Sequence, residues 1–356
     1  MERYVDYQLS ERNTFGIKSL AREFIEYDNT SELIDILREL NTKQFDSCAS
    51  CTPNEISQGS RGFDVQKFLF IGGGSNMLFT EDFQGTVIHG RINGIEIKEK
   101  SEEFCLVRVG AAVVWDDFVK WTLENNLYGI ENLSLIPGET GASAVQNIGA
   151  YGMEVSEVIE RVEVINADDL AEYSFHGKDC HYAYRNSFFK EAYNRYAIHH
   201  VIFRLNRKFR PVLRYKALQQ EFSRTEDSVT ASDVRNFIVE MRRNKLPDPK
   251  VLGNAGSFYM NPIVSADKFS ELCKRYPTIP HYKVGDDFKI PAAWLIEQCG
   301  WKGRRINHVG VYEKQPLVLV NYGGASAQEI ITLSNGIVND VKEKFQIELR
   351  PEVQFV

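Results

Sequence analysis

The sequence predicts a mixed α+β chain, on three observations. Apolar runs of strand length alternate with segments whose apolar residues recur every three or four positions. Two glycine-rich stretches, Ile71-Gly72-Gly73-Gly74-Ser75-Asn76 and residues 136–152, interrupt that pattern. The chain closes on residues 346–355, where apolar side chains hold the odd positions and polar ones the even, as in a half-buried strand.

The elements follow in order. Asn13-Thr14-Phe15-Gly16 opens the ordered part, and residues 23–26 read as a short strand. Asn29 with Glu32 three positions later is a helix start, and Leu33, Leu37 and Leu40 form its apolar stripe. Residues 43–65 are polar and turn-rich and read as a loop insertion. A strand over 67–71 runs into the first glycine stretch. That stretch lacks the Gly-Lys-Ser/Thr of a P-loop. Met77 stands where the third glycine of a dinucleotide fingerprint belongs, so a Rossmann fold is disfavoured. Strands recur at 86–89 and 105–109. A helix over 114–126 carries Trp115, Phe118, Val119 and Leu123 on one face, and Gly129 ends it. Strands at 158–165 and 196–205 flank a polar cluster at 180–187. Residues 206–230 show little periodicity and form an excursion centred on Leu213-Arg214-Tyr215.

Composition shifts near Ser232. Val234, Phe237, Ile238 and Met241 have the spacing of an amphipathic helix. Lys245-Leu246-Pro247-Asp248-Pro249-Lys250 stops it, because a proline disfavours helix at the residue before it. A glycine turn follows, Gly253-Asn254-Ala255-Gly256-Ser257-Phe258. Helices are expected over 265–276, 292–299 and 326–345, with a strand at 317–321 between the last two. Ser326 and Glu329 form a capping box for the final helix.

Bulk properties exclude several function classes. A chain of 356 residues has the length of two or three domains. Its 43% hydrophobic and 26% charged residues are those of an ordinary globular protein. No apolar run approaches a membrane span, and the N-terminus lacks the apolar core of a signal peptide, so a cytoplasmic protein is expected. A net charge of −7 argues against nonspecific nucleic-acid binding. Of six cysteines only Cys48 and Cys51 form a C-x-x-C pair, and no second pair or spaced histidines complete a metal site. His181, His199, His200 and His308 read as ordinary strand or surface histidines, and no metal is expected.

The second glycine stretch holds four glycines, the amides Gln146 and Asn147, and no Lys or Arg. A single stretch of this kind is as well read as a tight surface turn. Turned inward, its backbone N–H groups can bind phosphate without cationic side chains. Two such stretches in one chain favour a large phosphorylated cofactor. Three further residues carry either a bland or a chemical reading. Ser257 is a turn serine or a catalytic hydroxyl, though its context is not that of a hydrolase elbow. Arg185 is a paired charge or a bidentate anion clamp. Glu352 is a carboxylate on the polar face of the last strand or a site residue.

Taken together, Gly73-Gly74-Ser75-Asn76, Ile136-Pro137-Gly138, residues 146–152, Tyr184-Arg185-Asn186-Ser187, residues 245–250, residues 253–258 and Pro351-Glu352 closely resemble the UDP-N-acetylenolpyruvoylglucosamine reductase family, also called UDP-N-acetylmuramate dehydrogenases. The resemblance covers nearly the whole chain. It implies an FAD-binding fold of the vanillyl-alcohol-oxidase type, built from two α+β subdomains, with a separate α+β substrate domain. Residues 1–90 and 91–230 would be the two FAD-binding subdomains and 231–345 the substrate domain, with 346–356 returning to the FAD-binding region. Non-covalent FAD is implied, with NADPH as co-substrate and UDP-N-acetylglucosamine enolpyruvate as the molecule reduced, in cell wall biosynthesis. Gly72, Gly73, Gly74, Ser75 and Asn76 would hold FAD. So would Pro137, Gly138, Gly141, Ala142, Asn147, Gly149, Ala150, Tyr151 and Gly152. Arg185 resembles the arginine that stabilises carbanion character after hydride transfer, Ser257 the proton donor, and Glu352 an orienting carboxylate. Lys245 and Asn261 match positions that contact the nucleotide-sugar. Tyr215 resembles the tyrosine that, in the family's first type, folds over the substrate from an extra segment. A monomer is expected, without nucleic-acid or membrane partners.

Overall fold

The computed structural model describes residues 1–48, 68–192, 194–223 and 228–356. The chain divides into two compact units. The first comprises Met1–Tyr7, Ala21–Gly73 and Phe83–Glu240, and the second Gln8–Leu20, Gly74–Asp82 and Met241–Val356.

Among the described residues the first unit holds two larger sheets and a two-stranded hairpin. One runs Glu2–Gln8, Leu20–Tyr27, Phe83–Gly90, Phe68–Ile71 across its width. Its last three strands are parallel, in a register that aligns Glu26 and Ile71 with His89. The helix Thr30–Cys48 starts where expected, with Asn29 Oδ1 accepting the Glu32 N–H at 3.0 Å. Its stripe of Leu33, Ile36, Leu37 and Leu40 is buried with Ile25 and Ile88 of the sheet. Each such fully buried side chain contributes roughly 1.5–3 kcal/mol. The helix continues to Cys48, so residues 43–48 are not the expected loop. Polar composition is no obstacle to a helix whose first turns are anchored by packing. The rest of that insertion, with Cys51 of the C-x-x-C pair, lies outside the described residues.

The second sheet is antiparallel, in the order Glu172–His176, Ile159–Asn166, Tyr196–Asn206, Phe104–Gly110, Ile95–Lys100. The helix Trp115–Glu124 buries Trp115, Phe118 and Val119 in its core, beside Phe203. Leu123, expected on that face, is half-buried. Within the excursion after Asn206, the helix Lys216–Phe222 buries Leu218 and Phe222. The helix Ala231–Lys245 buries Val234 and Ile238 and stops ahead of Pro247.

In the second unit the helix Ala327–Phe345 buries Ile330, Leu333, Ile337, Val341 and Phe345 in a core shared with the helices Ala266–Arg275 and Ala292–Gln298. Its Ser326–Glu329 capping box forms in both directions. A small sheet, Arg305–Ile306, Val309–Val311, Leu319–Asn321, completes the layer. The end of the chain differs from the expected strand. Ile347, Leu349 and Val353 are buried in alternation, but ladder pairing is confined to Gln354–Phe355 on Met77–Leu78. Pro351 has no N–H to offer a ladder. The neighbouring backbone groups bond outside one: Met260 N–H to the Arg350 carbonyl at 3.0 Å, and Glu352 N–H to the Phe258 carbonyl at 2.8 Å. Among the described residues no helix is long and apolar enough to cross a membrane.

Candidate active site

The second glycine stretch is not a loop throughout. The helix Thr140–Gln146 occupies its middle and ends at Asn147 in the left-handed region, φ 44°. The small residues serve close packing: a Cβ on Gly141 would lie 2.9 Å from that of Ala111. The N–H groups of Thr140 and Gly141 donate to the Val113 and Ala111 carbonyls, both at 2.9 Å, and are therefore spoken for. Asn147 is fully buried. Its Nδ2 donates to Glu154 and to the Ala183 carbonyl, and its Oδ1 accepts the Ser156 N–H. This amide pins the Gly149–Ala150/Met153–Glu154 hairpin, whose turn residues Tyr151 and Gly152 both have positive φ.

The two glycine stretches meet backbone to backbone. A Cβ on Gly73 would lie 3.7 Å from Gly138 Cα, and one on Gly72 3.1 Å from Glu139 Oε2. The two stretches thus approach closely: a Cβ on Gly73 would rest in ordinary contact with Gly138, and one on Gly72 would crowd the Glu139 carboxylate. Pro137 and Gly73 are exposed beside this contact, and Ala142 is half-buried. Gly74 belongs to the second unit and admits no other residue. Its φ is +60°, and a Cβ would lie 1.9 Å from the Arg12 carbonyl oxygen. Ser75 beside it is half-buried, and Asn76 donates to the Glu352 carbonyl at 3.1 Å.

Arg185 adopts φ +56°, unusual for a side chain with a Cβ. From there its Nη2 donates to the Gly149 carbonyl at 2.7 Å and its Nη1 to that of Asn147 at 3.5 Å. Lys190 Nζ donates to the Arg185 carbonyl at 3.0 Å. Tyr215, at the foot of the helix Lys216–Phe222, stands edge-on to Tyr151 with ring centroids 5.2 Å apart. Asn132 fastens the same two segments, donating to the carbonyls of Tyr151 and Val212, both at 2.9 Å.

In the second unit Ser257 follows Gly256 (φ +68°) and bridges Val318, and Phe258 N–H donates to the Leu317 carbonyl at 2.7 Å. Because Glu352 N–H bonds the Phe258 carbonyl, serine and carboxylate lie on adjacent backbone segments. Asn261 Oδ1 accepts the Ala292 N–H at 2.9 Å at the start of the helix Ala292–Gln298. Lys245 is exposed at the end of its helix. Arg185 and Tyr215 thus belong to the first unit, and Ser257, Glu352, Lys245 and Asn261 to the second.

Sequence reasoning missed Asn132, whose two-carbonyl clip has no local pattern to announce it. It also missed the grouping of His199 and His200. A bulge in the strand pairing beside Glu163 and His200 gathers Glu163, His199 and His200 with ligand atoms within 4.8 Å of one another. Arg108 already occupies that point, donating to Glu163 at 2.7 Å and to His200 Nδ1 at 2.9 Å. Burial pushes His199 down to about 3 and His200 down to about 4, with the Arg108 cation adding to both. Both imidazoles are neutral near pH 7.

Comparison with known proteins gives consistent matches. Residues 64–170 match the family described as FAD binding domain, and residues 248–356 match the C-terminal domain of UDP-N-acetylenolpyruvoylglucosamine reductase. A UDP-N-acetylenolpyruvoylglucosamine reductase of Bacteroides fragilis (strain YCH46) is 44% identical over 98% of this chain and 99% of its own. One of Porphyromonas gingivalis (strain ATCC 33277) is 46% identical over 99% and 98%. The crystal structure of the reductase from Thermus caldophilus is similar in fold, with a TM-score of 0.65 and 20% identity, covering 99% of this chain and 98% of that one. The α+β fold with an FAD-binding domain expected from the sequence is the fold found.

Proposed function

The chain belongs to the UDP-N-acetylenolpyruvoylglucosamine reductase family, and we propose that Arg185, Ser257 and Glu352 carry its reaction. That reaction is the FAD-mediated, NADPH-dependent reduction of UDP-N-acetylglucosamine enolpyruvate to UDP-N-acetylmuramate, in peptidoglycan precursor synthesis.

Bound FAD supplies the hydride chemistry between NADPH and the enolpyruvyl group. Addition at the terminal methylene carbon of the substrate leaves negative charge at the carbon that bears its carboxylate. Arg185 stabilises that charge. Held by the Gly149 carbonyl, its cation needs no reorganisation as charge develops. Ser257 gives its hydroxyl proton to the carbon. Serine is a weak acid, but an enolate carbon is basic enough to accept from it. Glu352 orients the reacting group. Lys245 and Asn261 bind the nucleotide-sugar, and Tyr215 closes over it. Gly72 to Asn76, with Pro137, Gly138, Gly141, Ala142, Asn147 and residues 149–152, hold the FAD. Gly141 and Asn147 do so by packing and pinning the backbone.

The observation that supports this reading is the Glu352 N–H bond to the Phe258 carbonyl, which joins the backbone of the proposed carboxylate to the residue after the proposed acid. The division into FAD-binding subdomains 1–90 and 91–230 and a substrate domain 231–345, with 346–356 returning, belongs to the same reading. So do a monomeric state, a cytoplasmic location, and roles in cell shape and division that follow from wall synthesis. The test is to purify the protein, record its flavin spectrum and follow NADPH oxidation with and without UDP-N-acetylglucosamine enolpyruvate. Substrate-dependent oxidation is expected, and acid should release all the flavin from the precipitated chain. Oxidation indifferent to this substrate would overturn the assignment of the three residues.

A further inference from the structure

Glu139 is the one charged residue in the second glycine stretch, and its position is at odds with the ligand expected there. It precedes the helix Thr140–Gln146 yet makes no capping bond to it. Its carboxylate lies instead against the first glycine stretch, where Oε2 would be 3.1 Å from a Cβ on Gly72 and Oε1 3.8 Å from one on Gly73. A half-buried carboxylate at that point opposes a diphosphate bound to the adjoining backbone.

His89 answers that charge. Its Nε2 meets Glu139 Oε1 at 3.1 Å, and its Nδ1 meets Glu26 Oε1 at 2.9 Å. The arrangement follows from the sheet. Glu26, His89 and Ile71 share one register across three parallel strands, at their C-terminal ends, and Gly72 is the next residue. An imidazole with a carboxylate oxygen at each nitrogen satisfies both by carrying two N–H donors, which makes it a cation. Packing fixes the ring between the two carboxylates. Phe24 stacks on the ring, Ile71 flanks it, and Tyr27 is fully enclosed alongside with its hydroxyl against Gly90. Arg91 reaches the far oxygen of Glu26 at 3.4 Å but is committed mainly to Asp28 and Glu2.

We propose that His89 is a positioning residue for the cofactor: bridging Glu26 and Glu139, it offsets the carboxylate that lies against the Gly72-Gly73 backbone and lets a diphosphate bind there. This rests on the reading that the two glycine stretches hold the FAD pyrophosphate. The readout is FAD affinity, measured by fluorescence as FAD is titrated into apoprotein. His89→Asn removes the cation and leaves Glu139 uncompensated, and FAD should bind roughly tenfold to a hundredfold more weakly, as expected for like charges brought together. Adding Glu139→Gln to that variant should restore most of the affinity, because the opposing charge is gone. A merely structural histidine would show no such rescue. Should His89→Asn fail to fold, Glu139→Gln alone decides: unchanged or tighter FAD binding supports the proposal, and a tenfold loss overturns it. Wild-type affinity in His89→Asn, or a loss that Glu139→Gln does not relieve, also overturns it. Gly73→Val tests the underlying reading separately. If it leaves FAD affinity unchanged, the glycine-stretch reading fails and the proposal with it. If it abolishes binding while His89→Asn does not, the proposal alone fails.

Discussion

The Arg185 guanidinium donates to the Gly149 carbonyl at 2.7 Å, so the charge proposed to meet the reacting carbon is fixed to the glycine-rich stretch itself. A lysine keeps the charge but not the planar fork that reaches both Gly149 and Asn147. Arg185→Lys should leave flavin reduction by NADPH near normal. Reoxidation by the enolpyruvyl substrate should slow roughly 10²- to 10³-fold, the usual effect of losing one preorganised electrostatic partner. Stopped-flow absorbance separates the two half-reactions. A variant that reoxidises at the wild-type rate would remove Arg185 from the chemistry.

Ser257→Ala should separate the same half-reactions for another reason. Protonation at carbon belongs only to the second. The Ser257 backbone, bridged to Val318, keeps its conformation when the hydroxyl is removed. Flavin reduction should proceed, and reoxidation should fall by about 10²- to 10⁴-fold, the range for loss of a general acid. Equal slowing of both steps would mean that the Gly256-Ser257 turn is structural.

Acid stability should depend on His199 and His200. Burial is the main cause that holds them neutral, down to about 3 and about 4, against 6.5 in a solvated histidine. The unfolded chain therefore takes up protons at these sites first. Stability is full above about pH 6.5 and falls as the pH drops toward 4, by at most about 1.4 kcal/mol per pH unit for each histidine. His199→Gln, which cannot titrate, should show a shallower fall in Tm between pH 6 and pH 4, whatever its stability at pH 7. An identical slope would mean that carboxylates elsewhere dominate the acid limb.

Periodicity revealed what packing enforces, and missed what partners enforce. Leu33, Leu37 and Leu40 announced their helix because one buried face demands them at that spacing. The Ser326–Glu329 box was legible because both its bonds are local. The strands Glu2–Gln8, Ile95–Lys100 and Glu172–His176 were silent. Each is a sheet edge and largely exposed, so no alternation is imposed on it. In the site, the glycines of both stretches stood out because composition marks them. The Glu26–His89–Glu139 bridge did not, since its members come from three distant segments brought together by strand register. The seven-residue helix inside the second stretch was hidden by the same small residues that let it pack against Ala111.

Tyr215 is the residue for which contact and proposed role can be tested most directly against each other. Its ring lies edge-on to Tyr151, and Asn132 ties the carbonyls of Tyr151 and Val212 together, so the excursion is anchored to the glycine-rich stretch three residues before the tyrosine. An anchor at one end and a short helix at the other are what a covering segment needs in order to close without unfolding. The phenol can then donate one hydrogen bond to a substrate phosphate oxygen. Tyr215→Phe keeps the ring and its packing on Tyr151 and removes only that donor. Substrate binding should weaken by roughly 1.5–3 kcal/mol, the range for a bond to a charged oxygen, while FAD content and flavin reduction by NADPH stay as they were. Titration of the oxidised enzyme with UDP-N-acetylglucosamine enolpyruvate, read from the flavin spectrum, gives the affinity directly. An affinity unchanged in Tyr215→Phe would leave Tyr215 as a packing partner of Tyr151 and nothing more. A loss of FAD instead would mean that the Tyr151–Tyr215 contact supports the glycine-rich stretch rather than the substrate.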